Sequence, residues 1–359
     1  MQRGGHPDHI FFGETFIASF LKGESNGGDL DLTLRSGCAY LDIMLWGLPP
    51  FALVQVYAGT LREAGETRAP MFAGICAILT NLFGNWVLIF GHLGAPALGV
   101  EGAAIATVFS RYIELIIVVV FAHRHEDRYP FFAGVYRSLY VPRKLTGRII
   151  RTGAPLLINE ILWSLGMTFI TQFYSSRGLN AVAALNITGT AWNLFCVIMF
   201  AMGSAVSIMV GQRLGAGKMD EARDVDRKLI FLTEVIHVII GIAMILTSGL
   251  VPKLYNVGPD VQDLTRQMLI IAGLALPIHS FAHVTYFTIR SGGRTIITFF
   301  FDALYTWVVT VVLAFLLTRF TDMPIVQIYF CVQFIDLLKV LIGLVMLRSD
   351  FWARNVVND

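Results

Sequence analysis

Nine stretches of mainly apolar residues run through this chain, at about 37–60, 69–90, 98–122, 153–175, 183–210, 229–251, 264–289, 295–317 and 325–347. A helix needs about 20 such residues to cross a hydrocarbon layer of about 30 Å. Backbone groups inside lipid must be bonded within the segment, and no run shows the two-residue alternation of a barrel strand, so helix is the only fold open to them. Composition agrees, with 55% hydrophobic and 14% charged residues and a mean hydropathy of +0.66; ordinary soluble domains carry about 25% charged residues. The expected fold is therefore an all-α integral membrane protein with about nine transmembrane helices. An earlier apolar run, Ile10–Leu21, is short, carries Glu14 and lacks a basic lead-in and a small-residue cleavage site, so it is not expected to be a signal peptide.

The basic residues set the expected orientation. Loops 61–68, 123–151, 211–228, 290–294 and the tail after 347 hold 2, 7, 5, 2 and 2 Lys and Arg, whereas the alternate loops hold Lys22 and Arg35, none, Arg177, Lys253 and Arg319. Basic loops stay in the cytoplasm, so the C-terminus is expected there and the first full helix is expected to start outside, in a multi-pass protein of the plasma membrane. The net charge of +2 is too small to suggest nucleic acid as a partner. Cys38, Cys76, Cys196 and Cys331 lie far apart in apolar surroundings, without the spacing of a metal or redox motif.

The chain also repeats itself. Leu48-Pro49, Val56, Thr60, Arg62, Gly65 and Thr67 return 228 residues later as Leu276-Pro277, Val284, Thr288, Arg290, Gly293 and Thr295, and the same offset relates Pro96 to Pro324 and Arg111 to Lys339. A duplicated membrane unit with Pro and Gly at matching places is the usual build of a secondary transporter. The polar, basic connection His123–Arg148, broken by Pro130 and Pro142, reads as the linker between halves. The expected division is an N-lobe at 1–128 with three helices, a linker at 129–148 and a C-lobe at 149–359 with six. Extending the offset, the first half is short by about 80 residues, room for three helices, of which Ile10–Leu21 would be a stump. The alternative is that nine spans is the full design and the repeat partial, which would turn packing surfaces of unpaired helices toward lipid.

Several motifs resemble the multidrug and toxic compound extrusion (MATE) family. Gly211-Gln212-Arg213-Leu214-Gly215-Ala216-Gly217 with Ala222-Arg223 is similar to the turn after its eighth helix, and Pro96–Thr107 to the entry of its sixth. Asn81 and Asn85 ahead of Leu88–Gly91 resemble its fifth, Gly153-Ala154-Pro155 with Glu160 its seventh, and Arg290–Gly293 the end of its tenth. The resemblance covers nearly all of residues 33–348. It implies two six-helix lobes around a central cavity that opens alternately to either side, with organic, often cationic, compounds exported against an inward flow of sodium ions or protons. It also implies a monomer in the bilayer, with small drug-like substrates and no cofactor beyond the coupling ion. The departure is the absence of the pattern's first three helices, with the first-helix acid that family members use for coupling.

Four residues are candidates for ion coupling. Glu160 lies nine residues after Arg151, about 13 Å into its helix. An ionised group at that depth costs about 2.5 to 3.5 kcal/mol and persists where it faces a cavity, a partner or an ion; otherwise it is a structural carboxyl bonded to the next helix. Asn81 and Asn85, four apart on one helical face, offer neutral amide oxygens for a cation or a proton-bearing network, or else interhelical hydrogen bonds. Asp302 has no acid or base three or four residues away, whereas Arg111 with Glu114, Asp336 with Lys339 and Glu234 with His237 are spaced to pair along one helix. For a substrate cavity the candidates are Gln55, Trp163, Gln172, Asn193 and the pair His279 and His283, beside the aromatic Phe169 and Trp192. Aromatic faces attract organic cations without demanding one shape. The His pair does not make a zinc helix, since His279-Ser280-Phe281-Ala282-His283 has no Glu in second place.

Other functions fit less well. An ATP-driven pump is excluded because Gly217-Lys218 has Gln212 where a phosphate loop needs Gly, and Met219 where it needs Ser or Thr. No set of nucleophile and base, and no metal motif, lies at membrane depth for an enzyme. A lipid-linked sugar flippase of related build would line its cavity with cations, and deep Arg and Lys are scarce. A shortened, inactive transporter is the remaining alternative.

Overall fold

The computed structural model describes residues 30–138, 140–349 and 351–353; the Ile10–Leu21 run lies outside them. The regular structure of the described residues is all helical, without a strand. Eight helices among them are long and apolar enough to cross a bilayer, and one bent pair makes nine. The chain divides into two compact units, Met1–Tyr140 and Val141–Asp359.

In the first unit α1 (Leu30–Leu45) and α2 (Leu48–Glu63) meet at a bend of 41°. The reason is Pro49 and Pro50 in the first turn of α2, which have no N–H to offer the carbonyls of the preceding turn. The turn Ala64–Thr67 leads to α3 (Arg68–Phe90), and α4 (Gly99–Arg124) folds back along it. A Cβ at Gly102 would stand 2.6 Å from the Leu88 carbonyl oxygen and one at Gly84 2.9 Å from Ala106 Cβ, so small residues allow these two backbones to touch. The following segment is packed onto the unit. Phe132 stacks on Tyr57 at 5.3 Å, in a core with Leu61, Ala73 and Val118.

The second unit holds α5 (Arg143–Ser175), α6 (Leu179–Phe195), α7 (Val197–Gly215), α8 (Met219–Thr247), α9 (Pro259–Ser291), α10 (Thr295–Phe320), α11 (Ile325–Phe334) and α12 (Leu337–Arg348). The run expected as one helix at 183–210 is thus two, α6 and α7. The interruption is the single residue Cys196, whose N–H still reaches the Trp192 carbonyl and whose carbonyl accepts from Phe200. Buried α9 is the hub, packed on α6, α7, α8, α11 and α12. It meets α8 backbone to backbone, because a Cβ at Gly273 would stand 2.8 Å from the Gly241 carbonyl oxygen, and one at Gly241 would strike the Gly273 carbonyl. α10 widens into π turns at Phe300–Leu304 and Thr306–Val311, beside α5.

The repeat is visible in local geometry. Gly65 and Gly293 both take left-handed φ values, +86° and +72°, with their N–H groups bonded to Arg62 and Arg290 at 3.0 and 2.9 Å. Only glycine enters that region without strain, which explains its recurrence in the two turns.

Candidate functional site

A polar cluster occupies the second unit where α5, α9, α10 and α12 meet. Asn159, 1% exposed, is its anchor: Nδ2 donates to Asp302 Oδ2 at 3.1 Å, and Oδ1 accepts the Ala303 N–H of the π turn at 3.1 Å. Lys339 Nζ donates to the other oxygen, Asp302 Oδ1, at 2.6 Å. The ammonium also stands 5.3 Å from the Phe301 ring centre and 5.7 Å from that of Tyr305. Asp302 is therefore not the unpaired acid expected from spacing. Nor do Asp336 and Lys339 pair, because Asp336 sits in the break between α11 and α12 and turns to α9 instead.

There, Asp336 Oδ2 lies 3.3 Å from His279 Nδ1, and the Gln333 amide oxygen lies 3.0 Å from His279 Nε2. Trp192 meets the same imidazole edge-on at 5.3 Å. His283, one turn further along α9, has different company: it is edge-on to Phe200 and Phe287, and its Nε2 is buried without a hydrogen-bond partner. The two histidines share a helical face but not a site.

Glu160 follows Asn159 on α5 and is exposed. The backbone rotates by about 100° per residue, so Asn159 is buried against α10 while its neighbour lies to the side. Tyr286, Arg290 and Asp302 are within electrostatic reach of its carboxylate. The Tyr286 hydroxyl is buried on α9 beside this carboxylate.

The remaining candidates stand apart from this cluster. Asn81 Nδ2 donates to Thr107 Oγ1 and Asn85 Nδ2 to Asn81 Oδ1, each at 3.1 Å, which ties α3 to α4 and leaves the buried Asn85 Oδ1 unpartnered. Gln55 is exposed on α2, opposite the buried Val54 and Tyr57. Trp163, Gln172 and Asn193 are exposed on α5 and α6. Arg111 does pair with Glu114, at 3.0 Å. Glu234 and His237 do not pair: Glu234 accepts from Ser280 at 2.7 Å, and the His237 Nδ1 bonds the Thr233 carbonyl, also at 2.7 Å. Both side chains turn to groups one helical turn away or across to α9 rather than to each other.

One buried acid of the first unit lies in a turn outside the spans. Glu66 accepts from the Arg68 and Ala69 N–H groups at 3.0 and 3.2 Å, from the Tyr129 hydroxyl at 3.1 Å, and stands 3.6 Å from Arg128. Burial alone would raise its pKa, but these donors outweigh it and hold the carboxyl below the ordinary glutamate value. The Tyr129 phenol is pushed up, by burial first and by Glu66 second. Glu66 thus closes the start of α3 and fastens the segment after α4 onto it.

Sequence reasoning passed over Asn159, Gln333 and the Asp302–Lys339 contact. Asn159 adjoined a chosen acid but differs from it in facing inward. The Asp302–Lys339 partners are 37 residues apart, so no helical spacing signals them.

Comparison with known proteins follows the same lines. The MatE family model matches residues 10–87 and 155–316. The chain is 27% identical over 290 residues to the probable multidrug resistance protein YoeA of Bacillus subtilis, covering 81% of this chain and 63% of the relative. It is 23% identical over 320 residues to the probable multidrug resistance protein NorM of Thermotoga maritima, covering 89% and 68%. The chain therefore spans about two thirds of the length of these relatives. Among solved structures it resembles a MOP superfamily transporter from Pyrococcus furiosus, with a TM-score of 0.80 at 17% identity over 94% of this chain and 73% of that one. A Vibrio cholerae MATE transporter, VcmN, gives 0.80 at 17% identity over 97% and 79%. With the family model covering most of its length and the helical fold in agreement, the chain belongs to the MatE family of multi-pass membrane transporters.

Proposed function

We propose that this chain exports organic, often cationic, drug-like compounds in exchange for sodium ions or protons, by alternating access between its two lobes. It does so as a monomer in the plasma membrane with the basic loops and the C-terminus in the cytoplasm. Membership of the family and the naming of its relatives as probable multidrug resistance proteins support the class of substrate. The observation that carries the coupling is the Glu160 carboxylate, exposed at membrane depth next to a fixed framework of Asn159, Asp302 and Lys339. A charge at such depth is stabilised by gaining a cation, and the Tyr286 hydroxyl stands beside it. A bound sodium ion or proton lowers the cost of turning the site away from water, so ion binding and release can drive the change of access.

A sugar-flippase reading gains nothing from the structure, because the buried cation Lys339 is already neutralised by Asp302. The test is dye efflux from proteoliposomes under separate sodium and proton gradients, comparing the parent with Glu160→Gln. Gradient-driven efflux is expected to fall at least tenfold in the variant; equal export by both would remove Glu160 from the mechanism. The gradient that drives the parent identifies the ion.

A further inference from the structure

A cavity of about 370 Å³ lined by α8, α9 and α12 is basic at one end and apolar at the other. Its size lies inside the range of about 300–1,000 Å³ usual for small-molecule sites. Arg223 and Arg227 reach it from the first turns of α8, and Arg348, the last residue of α12, reaches it from a second helix. Further along the spans the lining is Ile230 and Phe231 of α8, Phe281 of α9 and Leu344 of α12. Two hydrogen bonds between α8 and α9 fix this order. Asp226 accepts from Thr288 at 2.6 Å beside the basic end, and Glu234 accepts from Ser280, next to Phe281, at 2.7 Å. Eight residues separate the two acids, so the cavity extends about 12 Å along α8.

The two acids do not cancel the basic end. Each has an α9 hydroxyl as its partner, and Asp226 is buried, whereas Arg227 and Arg348 are exposed. Arg223 is held by Asp220 at 2.8 Å, but Arg227 and Arg348 make no hydrogen bond or ion pair among the described residues. Three guanidinium groups against two carboxylates leave the cavity with one positive charge in excess. A guanidinium is the side chain that grips phosphate oxygens two at a time. The apolar end is open sideways, since Phe231 is 72% and Leu344 37% exposed, and what surrounds a spanning helix at that level is acyl chain. The wall beside Arg348 is fixed. Trp352, which is buried, packs its backbone carbonyl so closely on Gly292 that no side chain fits there.

We propose that this cavity holds an anionic phospholipid from the leaflet on the side of the 211–228 loop, its phosphate on Arg227 and Arg348 and an acyl chain along Phe231 and Leu344. Basic pockets between spanning helices recognise anionic headgroups in this way. Charge selects the class of lipid. A headgroup whose only charge is its phosphodiester neutralises the one positive charge in excess, whereas a zwitterionic headgroup brings a cation of its own and offsets nothing. The apolar end selects a lipid over a free phosphate, which has no use for it. The site is separate from Glu160 and from the antiport reading: it requires only that α8, α9 and α12 stand in a bilayer.

The test is native mass spectrometry of the full chain, delipidated in a neutral detergent and titrated with phosphatidylglycerol, phosphatidylethanolamine or phosphatidylcholine of the same acyl chains. The first phosphatidylglycerol is expected to bind about tenfold more tightly than either zwitterionic lipid. Arg227→Gln with Arg348→Gln should abolish that preference, and Arg227→Lys with Arg348→Lys should keep part of it. Arg143→Gln with Lys144→Gln, two exposed cations at the start of α5, should leave it unchanged. Equal binding of the three lipids, tighter binding of phosphatidylethanolamine, or an equal loss in the Arg143 and Lys144 control overturns the site. Displacement of the lipid by an equal concentration of glycerol phosphate marks a free-phosphate site and overturns the lipid as its occupant. The parent alone supplies a second reading that no substitution disturbs. In bilayers containing phosphatidylglycerol with a photoreactive diazirine on its acyl chain, labelling is expected on the segments that hold Phe231 and Leu344, and labelling confined to other segments overturns the proposal.

Discussion

Removing either member of the Asp302–Lys339 pair should damage the protein far more than removing both. At an N–O distance of 2.6 Å the gross attraction is about 6 kcal/mol for an effective dielectric constant of about 20. Both side chains are largely buried, at 17% and 9% exposure, so desolvation offsets much of that gain. The net value of the pair is small, but an orphaned partner keeps its desolvation penalty and loses the attraction. Asp302→Asn or Lys339→Met alone should therefore cost about 3–5 kcal/mol, while the double variant should lie within about 1–2 kcal/mol of the parent. The measurement is reversible unfolding by a denaturing detergent in mixed micelles, read as a double-mutant cycle. Single losses under about 1 kcal/mol, or a double variant as unstable as the sum of the singles, would show that the contact does not exist in the protein. The same double variant, if stable, also separates structure from coupling. Continued ion-driven export without Asp302 would assign the acid to the framework and leave Glu160 as the coupling group.

Three further outcomes follow from the packing and the charges. Gly273→Ala brings a methyl to 2.8 Å from both the Gly241 carbonyl oxygen and Ile245 Cγ1, and should cost about 1–3 kcal/mol in the same unfolding assay; Gly59→Ala, with nothing within 4 Å of the new Cβ, should be neutral or stabilising. Glu66 has a folded pKa below its unfolded one, so its contribution is complete above the ordinary glutamate range and is lost as pH falls through the folded value. Glu66→Gln should accordingly be less stable than the parent at neutral pH, with the gap closing on acidification in an acid-unfolding titration; a gap that persists would contradict the lowered pKa. Asn81→Ala removes an interhelical amide contact and should cost only about 0.6 kcal/mol, measured by the same unfolding, while a collapse of transport at unchanged stability would give Asn81 a role in coupling.

Hydropathy made the spans legible because a crossing helix has to be both long and apolar, and the run 325–347 was readable even though the helix breaks at Ile335 and Asp336 inside it. Breaks themselves were not. Cys196 interrupts the run at 183–210 without any Pro or Gly to announce it. Charge pairing was legible only within one helix: Arg111 and Glu114 were found by their spacing of three, but the same rule joined Asp336 wrongly to Lys339, since it assumes a helix that the Asp336 turn ends. Contacts such as Asn159 to Asp302 depend on which helices become neighbours, and composition along the chain carries no record of that.

The two halves solve one electrostatic problem in different ways. The offset of 228 sets Lys339 against Arg111 and Asp302 against Gly74. In the first unit the missing carboxylate is supplied by Glu114, whose Oε1 lies 4.0 Å from the point where a side chain on Gly74 would begin. Each half thus keeps an acid beside its basic residue, but Glu114 comes from the same helix as Arg111, whereas Asp302 comes from α10 to meet α12. A pair within one helix fixes no neighbour, and with Arg111 41% exposed it contributes about 0.3–0.5 kcal/mol. The second pair, with Asn159 donating from α5, ties three helices at one point. A buried polar tie contributes little net stability but permits few alternative registers, because a shift of one turn would leave a charge alone in apolar surroundings. That constraint falls on the unit that also holds Glu160, so the side chains around this carboxylate are held at fixed places along their helices.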